Sequence, residues 1–297
     1  MFGGDWSWAS FTMALLFVLT LLITVFCSVQ GRSFQKTSFE MSKENTEIDH
    51  TNTIEDEDFS VSTLIEKANK NLGKRPDDQV VMFGDVAVHT GFINADPCTA
   101  RGCKWPKSSD GNVYVPYVIS NQYSTRERSV IEGGLQTFAA STCVRFVRRT
   151  NQRDFVNIRS LSGCFSYIGR RGNGQDVSLS RNGCVFLGIV QHELLHALGF
   201  NHEQTRSDRD NHVQILLQNV IRGMEFNFAK INTINLNTPY DYNSVMHYGR
   251  FAFSRNRQPT ILPIPDNNAV IGRATEMSPN DILRINRLYN CTGQQQN

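Results

Sequence analysis

The sequence lacks internal repeats, extended low-complexity tracts and a marked excess of charge of either sign. Its 297 residues include 30 basic and 28 acidic side chains, and 40% of the residues are hydrophobic. This composition excludes a collagen, a coiled coil and a wholly disordered chain. The spacings typical of RNP motifs, helix-turn-helix units and zinc fingers are also missing, so we expect no nucleic-acid partner.

Lysine becomes scarce after residue 93, where 3 lysines accompany 20 arginines. Residues 32–93 carry 7 basic and 12 acidic side chains, a net charge of −5, whereas residues 94–297 carry 23 basic and 15 acidic ones, a net charge of +8. A charge difference of this kind between parts of one chain indicates separate roles. We therefore place a boundary near Asn94, between an acidic leader and a basic domain.

Long hydrophobic runs are missing apart from one, at residues 14–29. This run is slightly short for a membrane span and slightly long for a signal-peptide core, and small residues at Val29 and Gly31 favour cleavage after residue 31. A start at Met13 rather than Met1 would leave a compact signal. We predict a signal peptide at residues 1–31, secretion through secretory granules and no stable membrane association afterwards; the alternative is a retained anchor.

Cysteine is limited to seven residues, and removal of Cys27 with the signal leaves six. Six thiols in a secreted domain predict three disulfides rather than a redox centre, although their spacing allows fifteen pairings. The roughly 200 residues after the boundary are enough for one domain with a sizeable core.

Hydrophobic periodicity predicts a mixed α+β domain that is rich in strands first and less regular after Gly199. Short strands are expected at residues 112–119, 143–147, 154–161 and 176–180. Helices are expected at residues 60–72 and 188–199, and after the caps Ser124 and Ser278. Thr63 and Glu66 form a capping-box pattern in the first helix, and Pro116 favours a sheet edge or a strand end.

The segment HELLH at residues 192–196 carries the chemistry. On a helix, His192 and His196 share one face and can bind the same metal ion, while the carboxylate of Glu193 can reach a water at that ion. Histidines on a helix surface are the alternative. The apolar residues around this motif make it a largely buried element, where histidines without partners would be costly.

A third histidine follows the helix. Gly199 permits a positive φ, which ends the helix and brings His202 back as a further ligand. Three imidazoles and an open position describe a catalytic zinc, whereas a structural zinc would be closed by four protein ligands.

The extended motif HELLHALGFNHE, together with SVMHY at residues 244–248, resembles the astacin family of metzincin zinc peptidases. The likeness covers essentially residues 80–291, and the six cysteines resemble those of the fish subgroup that includes hatching enzymes and nephrosin. It implies an astacin-like catalytic domain of two subdomains. The first has a twisted, mostly parallel sheet with two long helices, and the second is irregular, with the Met-turn and a C-terminal helix. The implied disulfides are Cys98–Cys103, Cys143–Cys291 and Cys164–Cys184.

The resemblance also implies roles for single residues. One Zn²⁺ per chain would be bound by His192, His196 and His202, with Glu193 as the general base. Tyr248 would be the fifth zinc ligand at rest and would then stabilise the oxyanion, although on sequence alone it could be a core aromatic. Met246 would pack beneath the ligands rather than bind zinc through its sulfur.

Glu203 follows the third histidine. In the family this residue bonds towards the buried amino terminus of the mature enzyme. Here about two more residues precede the Trp105–Tyr117 stretch than in the shorter family members, which argues against a direct contact between Glu203 and the Asn94 amine. A salt bridge with Arg206 or Arg209 is the alternative.

The leader contains MFGD at residues 82–85, which resembles the family's FxGD latency motif. The likeness implies that Asp85 binds the zinc in an inactive precursor, with residues 32–93 as inhibitory segment and residues 94–297 as peptidase. An ordinary Gly-Asp turn is the alternative. Because no lysine or arginine lies between Asp85 and Cys98, we expect cleavage near Ile93–Asn94, by the enzyme itself or by a protease with apolar preference.

The chain is therefore predicted to be a secreted, monomeric zinc metalloendopeptidase. Its expected partners are protein substrates, either of the egg envelope or of tissue and matrix. The alternative is a catalytically weak zinc-binding protein of the same fold, secreted or membrane-anchored. Glu193 and Tyr248 favour the enzyme, because a scaffold without turnover has no need of a base.

Overall fold

The computed structural model describes residues 59–72, 79–88 and 102–291. The helices are α1 (Val61–Asn69), α2 (Thr125–Ser141), α3 (Leu187–Leu198) and α4 (Pro279–Leu288). The strands are β1 (Val81–Met82), β2 (Val86–Ala87), β3 (Val113–Ile119), β4 (Val144–Arg148), β5 (Phe155–Arg159), β6 (Cys164–Ser166), β7 (Gly174–Leu179), β8 (Val213–Ile215) and β9 (Ile261–Pro263).

Seven strands form one sheet in the order β1-β2-β6-β7-β5-β3-β4, while β8 and β9 form a separate pair. Strands β3, β4, β5 and β7 run parallel, and β6 is antiparallel to β7. The leader strand β2 pairs in parallel with β6 and carries β1 as an antiparallel neighbour. The predicted α+β class with a mostly parallel sheet is confirmed, and the leader extends one edge of that sheet.

Pro116 does not lie on an edge strand, because β3 stands between β4 and β5. It pairs with Val147 of β4, whereas the pairing of β3 with β5 begins one residue later, at Tyr117. At Pro116, β3 has β4 as a neighbour on one side but no paired residue of β5 on the other. Proline, which has no N–H to donate, is therefore tolerated here although β3 is an inner strand.

The helix caps follow the sequence pattern in two cases. Ser124 and Glu127 form a reciprocal capping box on α2, and Ser278 caps α4 with proline as its first residue. The pattern in α1 is wrong: Ser60 is the N-cap, and the Glu66 carboxylate accepts a hydrogen bond from Phe253 N at 3.0 Å instead. Local spacing assigns Glu66 to a helix cap, but its side chain instead forms a contact with a distant part of the chain.

The core consists of two clusters of buried side chains. The larger lies between the sheet and α2, α3 and α4 and includes Leu194, Leu195, Leu198 and Met246. The smaller belongs to the irregular part after Gly199, where 3₁₀ turns and the β8–β9 pair replace longer elements, and includes Phe228 and Tyr248. The end of α3 and the turn around Met246 therefore lie where the two clusters meet.

Two disulfides connect distant parts of the domain. Cys143–Cys291 joins the residue before β4 to a position three residues after the end of α4, and Cys164–Cys184 joins β6 to the approach to α3. Both are pairs that the family resemblance implies. Cys103 is also disulfide-bonded, but Cys98 lies outside the described residues.

Several predicted features fall on residues that the structure does not describe. These are the signal peptide at residues 1–31, the acidic start of the leader and the cut near residues 93–94. Among the helices of the described ranges, none combines the length and the apolar character needed to cross a membrane.

Candidate metal centre

Helix α3 presents His192 and His196 one turn apart, with their ring centroids 4.8 Å from each other. From Gly188 to Leu198 every residue of the helix is buried, because α3 runs through the core between the sheet and the irregular part. The two imidazoles are therefore removed from water and point into one enclosed space.

The third histidine follows a turn at the end of α3, and hydrogen bonds from within the turn and from distant residues fix that turn. Gly199 caps α3 with φ 110°, and its N–H and that of Phe200 bond back to helix carbonyls. The last carbonyls of α3 also accept from distant donors, Trp105 Nε1 at Ala197 and Tyr289 Oη at Leu198, each at 2.9 Å. His202 then lies with its ring centroid 4.8 Å from that of His196.

Ligand atoms of Asp85 and the three histidines all lie within 4.8 Å of one another. The Nε2 atoms are 3.0 Å (His192), 3.3 Å (His196) and 3.1 Å (His202) from the nearer Asp85 oxygen. His192 Nδ1 faces the carbonyl of Val245 and His196 Nδ1 that of Phe200, which assigns the proton to Nδ1 and leaves each Nε2 lone pair facing inward.

This donor set fits a zinc ion. The buried atoms Nε2 of His196, Nε2 of His202 and Oδ1 of Asp85 have no hydrogen-bond partner within the described residues. Burial lowers the pKa of His196, and that of His202 to about 4, which favours the neutral form of these two imidazoles that can act as ligands. Nitrogen from imidazole and oxygen from a carboxylate are ligands that zinc prefers.

The pKa values of two carboxyl groups in this space are shifted in opposite directions. Burial opposes ionisation of Asp85, but His202, His192 and His196 together hold its pKa well below the usual range. Burial, with the charge of Asp85 nearby, raises the pKa of Glu193 well above it. Both oxygens of Glu193 are buried without a hydrogen-bond partner in the described part of the chain, so this carboxyl group is available to a small polar molecule.

The turn at residues 244–248 lies against the histidines. Met246 packs in the larger core cluster, and its carbonyl accepts from Glu203 N at 3.0 Å. The Tyr248 ring centroid is 4.7 Å from that of His202, and its hydroxyl donates to the carbonyl of Phe83. Burial raises the pKa of Tyr248 well above its usual value, which keeps this hydroxyl a donor.

The leader reaches the centre through the turn between β1 and β2. Phe83 and Gly84 have φ values of 51° and 83°, and a Cβ on Gly84 would come 3.2 Å from both Tyr248 Oη and the Phe253 ring. Asn69 holds this turn from α1: its Nδ2 donates to the carbonyls of Gly84 and Cys164, and its Oδ1 accepts from Cys164 N. Asp85 is placed by backbone contacts with β6 and not by the histidines alone.

Glu203 lies behind the histidines with four donors around its carboxylate. Arg284 binds both oxygens at 2.6 and 2.8 Å, Arg206 lies at 3.3 Å and Asp241 N at 2.7 Å. Four donors and no acceptor are the surroundings of an ionised group, although burial raises the pKa of Glu203 to about 7. Of the two predicted alternatives to an amino-terminal contact, Arg206 is in place and Arg209 is not, since Arg209 bonds to Asp210 and to the Gln204 carbonyl.

Sequence reasoning missed four residues that support the centre: Asn69, Val245, Asp281 and Arg284. Asp281 accepts from Ser244 Oγ at 2.6 Å and from Val245 N at 2.9 Å, and it thereby holds the carbonyl that orients His192. Helix α4 buries Asp281 and Arg284 together with the apolar Ile285. Two charged residues that are three apart, on the inner side of an amphipathic helix, are the sequence signal that could have indicated these supporting residues.

Known proteins are similar to this chain in sequence and in fold. The model of the Astacin peptidase family matches residues 100–290. High choriolytic enzyme 1 of Oryzias latipes is 49% identical over 237 residues, which are 80% of this chain and 86% of that protein. Low choriolytic enzyme of the same fish is 44% identical over 276 residues, 92% of this chain and 97% of that protein. A solved structure of High choriolytic enzyme 1, described as a hatching enzyme zinc-protease, matches with a TM-score of 0.64 and 54% identity, covering 67% of this chain and all of the other.

Proposed function

Because this chain belongs to the astacin family and is a zinc-dependent metalloendopeptidase, we propose that one zinc ion per chain is held by His192, His196 and His202. The observation that carries this proposal is the convergence of three buried imidazoles beside a carboxyl group that has no hydrogen-bond partner in the described part of the chain, that of Glu193. A binding protein would gain nothing from leaving that carboxyl group buried and unpaired.

Glu193 is the general base in this proposal. When bound, zinc supplies a Lewis acid that polarises the scissile carbonyl and lowers the pKa of a water. Glu193 accepts the proton of the attacking water and returns it to the leaving amine, because burial raises its pKa and thus its affinity for that proton. Tyr248, whose hydroxyl is buried beside His202, donates a hydrogen bond to the oxyanion that develops on the substrate.

The leader keeps the uncut chain latent. Asp85 lies against all three imidazoles, and the Phe83 carbonyl accepts from the Tyr248 hydroxyl, so the leader contacts both groups that would act on a substrate. Removal of residues 32–93 by a cut near Ile93–Asn94 would free the site. Sequencing of the mature amino terminus tests this boundary, and a terminus after Lys74 or Arg75 would contradict it.

The proposed substrates are proteins of the egg envelope. This choice rests on the relatives, which are named choriolytic enzymes and in one case described as a hatching enzyme. The same relatives support secretion of this chain, and we propose that it acts as a monomer. Substrates in tissue or matrix remain the second candidate from the sequence, and no contact in the described residues favours them.

The test uses isolated egg envelopes and the activated protein. We expect envelope hydrolysis that is lost on chelation, restored by zinc, and reduced by roughly 10²–10⁴-fold in Glu193→Gln, as for other general bases. Glu132→Gln is the matched control, because Glu132 lies on the surface of α2 and pairs with Arg148. Activity that survives chelation or the loss of Glu193 refutes the mechanism. Hydrolysis of casein without any action on egg envelopes refutes the substrate.

A further inference from the structure

Helix α4 carries two charged side chains behind the histidine cluster. Asp281 and Arg284 are three residues apart, on the same side of the helix, and are 2% and 7% exposed. Buried charges are retained where they have specific partners, and here both sets of partners belong to segments that carry the histidines or their supports. The position of α4 is itself fixed, since Asn286 donates to the Ser141 carbonyl of α2.

Arg284 has a bonding partner for every nitrogen of its guanidinium group. Nη1 and Nη2 bind the two Glu203 oxygens, Nη2 also donates to the Pro239 carbonyl at 2.8 Å, and Nε donates to Thr238 Oγ1 at 3.0 Å. This bidentate geometry needs the planar fork of arginine, which lysine does not have. The carboxylate of Glu203 is therefore held in one orientation by a rigid partner.

Glu203 transmits this restraint to the third histidine. It follows His202 directly, and its backbone N–H donates to the Met246 carbonyl. His192 and His196 each have a backbone carbonyl at Nδ1, at 2.8 and 2.7 Å, which orients the ring. His202 has no hydrogen-bond partner on either ring nitrogen among the described residues. Its orientation depends on how its backbone and its ring contacts are held.

We propose that Arg284 is a positioning residue for the third zinc ligand: by fixing Glu203 it fixes the backbone from which His202 reaches the metal. This inference rests on the proposed zinc site. It also means that Glu203 already has its partners in the uncut chain, from Arg284, Arg206 and the amide of Asp241. A new amino terminus is then not required to complete its hydrogen bonds.

The test measures zinc affinity of the metal-free full-length chain, by competition with a chromogenic chelator. We expect Arg284→Lys to weaken zinc binding by roughly 10–100-fold, the usual effect of losing an interaction that orients a ligand. Arg287→Lys is the matched control, since Arg287 lies on the same helix and bonds to the carbonyls of Leu236 and Asn237, away from the histidines. The control should bind zinc as the parent protein does.

A purely structural role is separated by unfolding the metal-free proteins in urea. Such a role would lower the unfolding midpoint of Arg284→Lys and leave the zinc affinity of its folded fraction unchanged, which overturns the proposal. Should Arg284→Lys not fold, Thr238→Val removes the acceptor at Nε and leaves both bonds to Glu203 in place. It should weaken zinc binding by a few fold, and an unchanged affinity also overturns the proposal. Failure of the parent chain to bind zinc would instead refute the proposed function.

Discussion

The two faces of the histidine cluster each contain a buried carboxylate, but their surroundings differ. On the front face Asp85 comes from the leader and lies against imidazole nitrogens that have no other inward partner. On the back face Glu203 comes from the domain itself and has four donors, all from that domain. The front contact uses groups that a metal or a substrate would also need. The back contact uses arginine and amide groups whose other bonds also stay within the domain.

This difference separates a replaceable contact from a permanent one. In the proposed activation, removal of the leader would expose polar atoms that zinc and water can satisfy, so the front face would change state at little cost. Removal of either partner at the back would leave a charge buried without compensation. We therefore expect front substitutions to change activity and back substitutions to change stability and metal affinity.

The largest effect is expected from Asp85→Ala in the uncut chain. A tethered ligand acts at a high effective concentration, so its loss should raise the activity of the zymogen by roughly 10²–10⁴-fold, measured with a fluorogenic peptide. The double variant with Glu193→Gln should return to the baseline, which shows that the gained activity uses the proposed base. Equal activity of Asp85→Ala and the parent zymogen would remove the distinction between the two faces.

Glu203→Gln tests the back face and should reduce the free energy of unfolding by about 3 kcal/mol, because Arg284 and Arg206 lose a buried counter-charge. Urea unfolding of the metal-free protein measures this value. Glu132→Gln breaks an ion pair whose arginine side chain is 71% exposed, and it should cost less than about 1 kcal/mol. If the two variants lose similar free energies of unfolding, the contacts of Glu203 contribute no more to stability than a surface ion pair does.

Gly84→Ala should weaken latency in part. The residue has a positive φ, and a side chain there would come 3.2 Å from Tyr248 Oη and from the Phe253 ring, so we expect about 1–2 kcal/mol of strain in the docked leader. Zymogen activity should rise by roughly tenfold. Gly102→Ala has a comparable φ of 96° with open space around it and should leave latency unchanged.

The smallest effect concerns pH and the contact between α1 and Phe253 N. Desolvation of its carboxyl group raises the pKa of Glu66 above the ordinary value of 4.5 by more than the hydrogen bond from Phe253 N lowers it, so a docked leader holds this proton more tightly than a released leader. Docking should therefore gain stability as the pH falls through the raised pKa and lose it towards neutral pH. Hydrogen exchange of α1 between pH 4.5 and 7 measures this, and Glu66→Gln should remove the part of the pH dependence that Glu66 contributes.

Local patterns predicted those parts of the centre that lie within a few residues of one another. The helix with His192 and His196, the left-handed cap at Gly199 and the capping boxes at Ser124 and Ser278 follow from spacing and backbone preference. Short, strongly periodic segments carry such information because their contacts join neighbours in the chain. The strand at β6 was not predicted, since its three residues are too few for a periodic signal.

Contacts between distant segments could not be predicted from spacing. Glu66 forms the expected local pattern with Thr63, yet its carboxylate bonds to Phe253 N, 187 residues away. Arg284 shows no motif, and its importance comes from its contact with Glu203, 81 residues earlier. Such pairs depend on the packing of whole elements, which a one-dimensional period does not contain.

The sequence by itself determined the kind of chemistry to expect, because three histidines and a glutamate at helical and turn spacing are typical of a catalytic zinc site. It also determined a charge boundary between an acidic leader and a basic domain. The tertiary structure alone decided which carboxylate faces the histidines from the front and which supports them from behind. The physical reason is that a carboxylate has the same chemistry at both positions, and only the packing of β2 against β6 and of α4 behind the cluster gives Asp85 and Glu203 different partners.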